Sequence, residues 1–157
     1  MILRGALAGL LALACATGAS AAATAAAAAT CREDAVTISG DWGRAVFGVT
    51  VADDAAERAQ GLMFVDSMPA MTGMLFVYDH PQRVAFWMRN TLIPLDMLFA
   101  GEDGVISRVH EGAVPHDETP IPGGDDVQFV LEINGGMAAR LGITPGDVMV
   151  HPAIGNC

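Results

Sequence analysis

Short apolar runs, each closed by Gly, Pro, Asp or Asn, recur along this chain from Val36 to Val150. Runs of that length, rich in β-branched residues, fit strands better than helices, which need a longer amphipathic repeat. The spacing predicts strands at Val36–Ile38, Ala45–Val51, Met74–Tyr78, Val84–Met88, Leu95–Phe99, Val105–His110, Val127–Ile133 and Val148–Val150. Along Val127–Ile133, Phe129, Leu131 and Ile133 fall on one face, and Gln128, Val130 and Glu132 on the other. Asp53-Asp54 caps a helix expected over Ala55–Leu62, and Met137–Leu141 predicts a second, shorter one. Asp79-His80-Pro81 reads as a turn, Glu102-Asp103-Gly104 as a hairpin turn, and Gly112–Asp126 as a long loop. Many strands, few helices and no βαβ alternation predict a mainly β fold. The expected form is a compact β-sandwich or jelly-roll-like barrel with one or two short helices.

The amino terminus reads differently. Arg4 supplies a positive charge, Gly5–Ala16 is apolar, and Ala19-Ser20-Ala21 offers small residues for cleavage. This order is that of a secretory signal peptide, with an apolar run too short to cross a hydrocarbon core of about 30 Å. The expected organisation is a signal peptide over 1–23, an alanine-rich tether over 24–34 and one β-rich domain over 35–157. Cys15 lies near a sequence that lipid anchors use, but Ala12 stands where such sites carry leucine. Soluble export to the periplasm is therefore the preferred expectation over lipid anchoring through Cys15, with no transmembrane span. Cys31 and Cys157 sit at the two ends of the expected domain, and an oxidising compartment would pair them. Neither belongs to a CxxC pair, so a redox site is not expected.

All eight basic residues are arginines, and they face eighteen acids for a formal net charge of −10. Such a surface disfavours nucleic acid and anionic lipid, which are polyanions.

One segment sets polar groups among residues that belong in a core. From Phe86 to Phe99 it carries Trp87, Arg89, Asn90, Thr91 and Asp96 between Phe, Met, Leu and Ile. Buried polar groups must be hydrogen-bonded, so the cluster is either a structural network or a recognition site. In the structural reading, Asp96 pins the bend and Trp87 fills the core. In the functional one, Trp87, Asn90, Thr91 and Asp96 line a pocket beside Arg58, Glu132 and Asn134, suited to a sugar or another small polar ligand. Arg58, Arg89 and the bend amides are the partners within reach of Asp96 by sequence. Asp96 and Glu132 would serve as general acid and base if they converged. No nucleophile accompanies them: Ser39, Ser67 and Ser107 lack a Gly-x-Ser-x-Gly elbow. Met63, Met74, Met88 and Met97 have the flanks of core methionines, and the four histidines lack metal-ligand spacing and are expected at the surface. No catalytic residue, metal site or cofactor is assigned.

Four segments carry a resemblance: Glu57–Met63, Gly73–Val77, Phe86–Thr91 with Ile93–Asp96, and Val130–Gly136. In this order and spacing they resemble the domain of unknown function 192 family of bacteria and archaea. One departure is Val65-Asp66, where relatives carry a basic residue. The resemblance implies a compact, jelly-roll-like β sandwich and implies no reaction. The expectation is a periplasmic protein binding a small molecule or envelope component. The alternatives are a carboxylate-based hydrolase of an envelope carbohydrate and an interaction module for envelope machinery.

Overall fold

The computed structural model describes residues 31–157. The expected signal peptide, Cys15 and most of the expected tether lie outside these residues. Seven strands form one sheet: β1 (Ala35–Gly40), β2 (Gly43–Ala52), β3 (Thr72–Phe86), β4 (Leu95–Ala100), β5 (Ile106–Ala113), β6 (Ile121–Asn134) and β7 (Val148–Val150). Two helices accompany them, α1 (Ala55–Gln60) and α2 (Met137–Leu141). The strand order is β5-β4-β6-β3-β2-β1-β7. The outer strands approach each other, because Val105 bridges Val148 and the Ile106 N–H donates to the Asp147 carbonyl at 2.8 Å. The sheet thus curls into a half-barrel, and the chain is mainly β as expected.

Period-two alternation sorts the apolar side chains into two clusters, one per face. Leu98 and Ala100 of β4, Leu75 of β3 and Phe129, Leu131 and Ile133 of β6 join one cluster. Leu95, Met97 and Phe99 of β4, Phe76 of β3 and Val130 of β6 join the other. β4 is buried on both faces, which is why its sequence runs Leu-Asp-Met-Leu-Phe-Ala without a solvent side.

Three expectations about elements are corrected. Asp79-His80-Pro81 does not end a strand; β3 runs through it, with register shifts between Val77 and Ala85. Beyond Phe76, β3 pairs only with β6, so Pro81 removes no ladder bond from a second neighbour. Ile121–Asp126 is strand and not loop, its Ile121, Pro122 and Gly124 pairing with Phe86, Ala85 and Val84. Gly123 allows this, since a side chain there would strike the Phe99 ring. Finally, β2 and β3 are parallel, with α1 in the connection between them, so one βαβ crossover does exist.

The ends of the domain meet. The sulfurs of Cys31 and Cys157 lie at bonding distance, with Cα atoms 5.8 Å apart. His151 is buried beside them and not at the surface: Nε2 faces the Glu33 carbonyl at 3.0 Å, and Nδ1 accepts the Ala153 N–H at 3.1 Å. The ring thereby ties the segment after β7 to the one before β1.

Candidate functional site

Residue parity on the sheet decides which polar side chains can meet. Asp96 pairs in register with Ile133, and Glu132 pairs with Met97 and Met74. Directly paired residues share a face. Asp96 therefore belongs to the face of Ile133 and Leu98, and Glu132 to that of Met97 and Val130. The two carboxyl groups project to opposite sides of the sheet. Their convergence as a general acid and base, open in the sequence, is not realised.

Asp96 is fully buried and its oxygens are occupied. Oδ1 accepts the N–H groups of Gly112 at 2.8 Å and Gly136 at 3.0 Å, and Oδ2 that of Ala138 at 2.9 Å. Among the described residues no arginine takes part. The carboxylate ties β4 to the end of β5 and to the turn that opens α2. Asn134 is also spent on the scaffold: its amide donates to the carbonyls of Met68 at 3.1 Å and Pro69 at 2.9 Å.

The Glu132 face carries an open cleft of about 190 Å³, lined by side chains from α1, β3, the tryptophan bend and β6. Arg58, Trp87, Thr91 and Glu132 of the expected set line it, together with Phe76, Tyr78 and Phe86. Asp96, Asn90 and Asn134 are not in this lining. Asn90 instead shapes the rim, with a left-handed backbone (φ 54°), its carbonyl accepting the Phe64 N–H at 2.8 Å. Phe64 is itself left-handed (φ 64°) and 64% exposed. The bend is clipped from the other side too, as the Met88 N–H donates to the Asp117 carbonyl at 2.8 Å.

Each wall has a local cause. Asp54 caps α1 by accepting the Glu57 N–H at 2.8 Å, which presents Arg58 one residue on toward β3. The Arg58 guanidinium donates to the carbonyls of Asp53 at 2.5 Å and Val77 at 2.8 Å, and lies 5.1 Å from the Tyr78 ring centre. Phe76 meets Phe86 edge-on at 5.0 Å between ring centres, making an apolar floor. Trp87 is 46% exposed, with the Arg89 guanidinium 5.5 Å from its ring. It therefore lines the cleft and does not fill the core.

Glu132 is the unusual member. Only 5% of it is exposed, and burial alone pushes its carboxyl up to about 8. At neutral pH it carries a proton and can donate as well as accept. Among the described residues, no hydrogen bond or opposite charge offsets that burial. Burial also raises the Tyr78 phenol, an effect opposed by Arg58 and reinforced by Glu132. The cleft thus combines an aromatic floor and exposed indole with a cation, a phenol, the Thr91 hydroxyl and a neutral acid.

A model of the domain of unknown function 192, described as "Uncharacterized ACR", matches residues 36–151. The chain belongs to this family. Two solved structures are similar to this member of the family. One, from Novosphingobium aromaticivorans, is a protein of unknown function; it is 48% identical, with 74% of this chain and 83% of that one covered and a TM-score of 0.72. The other, from Sinorhizobium meliloti, is described as a putative transcription regulator; it is 40% identical, with 78% of this chain and 96% of that one covered and a TM-score of 0.75. No curated protein matches the chain. Among the described residues of this family member, no helix is long and apolar enough to cross a membrane.

Sequence reasoning missed Phe76, Tyr78 and Phe86 as cleft residues. Phe76 and Tyr78 are two apart on one strand and so share a face, a signal that was available. Phe86 was not assignable, because the register shifts in β3 break the alternation before it.

Proposed function

We propose that this protein is exported to the periplasm and binds a small polar ring compound, such as an envelope saccharide, in the cleft between Trp87 and Glu132. The buried Glu132 carboxyl carries this reading. Among the described residues no protein group hydrogen-bonds this carboxyl, yet its oxygens are not sealed off, so a ligand hydroxyl entering the cleft can reach it and exchange a hydrogen bond. Trp87 offers an exposed indole face for the ring, and an aromatic surface beside a few convergent polar groups is the usual make-up of a small-molecule site. At about 190 Å³ and open to one side, the cleft suits a single ring, with the rest of any longer ligand lying outside it. Export rests on the amino-terminal pattern of Arg4, apolar run and small residues, and on the Cys31–Cys157 pair, which an oxidising compartment favours.

A hydrolase reading lacks support, because Asp96 lies on the opposite face with both oxygens bonded to main chain. The test is a thermal-shift screen of envelope metabolites on the wild type and on Trp87→Ala. Shifts present in the wild type and lost in the variant are expected. A variant that keeps every shift removes Trp87, and with it this site, from the binding surface.

A further inference from the structure

The charge around the cleft runs against the charge of the chain. The protein has eight arginines against eighteen acids, yet Arg58 lines this cleft and Arg89 lies over the ring of its Trp87 wall. Arg58 lies against Tyr78, and Arg89 against one face of Trp87, so a cationic ligand would meet a guanidinium at either ring while an exposed part of the indole stays open. Among the described residues the only carboxyl in the lining is Glu132, and it is buried.

Resting on the binding reading above, we infer that the ligand of this cleft carries a carboxylate. Its ring stacks on Trp87, Arg58 and Arg89 supply the positive field, and the Glu132 hydroxyl donates a hydrogen bond to it. A negative group needs donors and cations, and this lining presents both, with no ionised acid to repel it at neutral pH. The ionisable groups facing Glu132 are few. Tyr78 comes from β3 and Arg58 from α1, while the strands on either side oppose it in register with Met74 and Met97. A bound anion holds the Glu132 proton in place, so affinity falls once that proton leaves.

Three pyranoses that share a ring and differ in charge test the inference: glucuronate, glucose and glucosamine. Calorimetric titration of the intact mature protein at pH ~6.5 is expected to give glucuronate at least tenfold tighter than glucose, and glucosamine weakest. With Glu132 titrating at about 8, raising the pH to ~9 leaves it about one-tenth protonated, so glucuronate weakens about tenfold. Glu132→Gln keeps an N–H donor and is expected to hold glucuronate at both pH values. Arg89→Gln, at an exposed position, is expected to weaken glucuronate several-fold more than it weakens glucose. Equal affinities for the three, or a preference for glucosamine, overturn the carboxylate while leaving a saccharide cleft in place. If none of the three binds, the inference falls, and the metabolite screen on Trp87→Ala decides separately on the cleft.

Discussion

Asp96→Asn separates the scaffold from the site, and its cost can be worked from the geometry. The native carboxylate accepts three main-chain N–H groups, from Gly112, Gly136 and Ala138, inside dry packing. Asparagine keeps one oxygen, which can retain the Gly112 and Gly136 bonds without the charge assistance. Its NH₂ then points at the Ala138 N–H, placing donor against donor. One buried donor left unpaired costs about 1–3 kcal/mol, and weakening two charge-assisted bonds adds about 1 kcal/mol. The expected loss is about 3 kcal/mol. With a urea m-value of ~1.5 kcal/mol/M for a domain of this size, the midpoint falls by about 2 M. Equilibrium unfolding in urea, followed by tryptophan fluorescence, reads the change. Ligand affinity of the folded variant is expected to stay at the wild-type level, since Asp96 faces away from the cleft. A midpoint within ~0.3 M of wild type would refute the buried three-donor arrangement. Unchanged stability with lost ligand affinity would place Asp96 in the site after all.

Glu132→Gln is expected to change how stability depends on pH. The carboxyl sits at about 8 in the folded protein against an ordinary value of 4.5, so the folded state holds the extra proton between those values. Wild-type stability is greatest below pH 4.5 as far as this group is concerned, and declines as pH rises to about 8. The glutamine variant loses that slope and is the more stable of the two above pH ~8, which urea midpoints across the range would register. Reducing the Cys31–Cys157 pair, or replacing Cys157 by serine, frees a loop of 126 residues and is expected to cost about 4 kcal/mol, read from the melting temperature without and with reductant. Two free thiols in the oxidised protein would contradict the pairing. Gly73→Ala places a methyl against the Glu132 carbonyl across the β3–β6 ladder and is expected to destabilise by several kcal/mol, lowering soluble yield and melting temperature together.

Much of the sheet was legible because strand alternation is local. Phe129, Leu131 and Ile133 against Val130 could be read from the chain and reappear in two separate packing clusters. What escaped depended on distant backbone. Asp96 takes its partners from main-chain N–H groups 16, 40 and 42 residues away, and a backbone N–H has no sequence signature. The sequence offered it Arg58, Arg89 and the amides of the bend, and its partners in the fold are none of these. The strand through Pro81 was hidden because proline normally ends a ladder, and only its one-sided pairing in the fold makes it harmless. The burial of His151 likewise required the segments before β1 and after β7 to meet. For the site, the tryptophan bend and Glu132 were identifiable as polar groups in apolar surroundings and Arg58 as an available cation, whereas the face each occupies followed only from the fold.

Carboxyl-carbon NMR of Glu132, titrated against pH in protein labelled at glutamate, probes the cleft most directly. A midpoint near 8 that rises further when glucuronate is added is the result this account predicts. A midpoint near the ordinary 4.5, indifferent to added saccharide, would mean an ionised, well-solvated side chain and no neutral acid at the floor of a binding cleft.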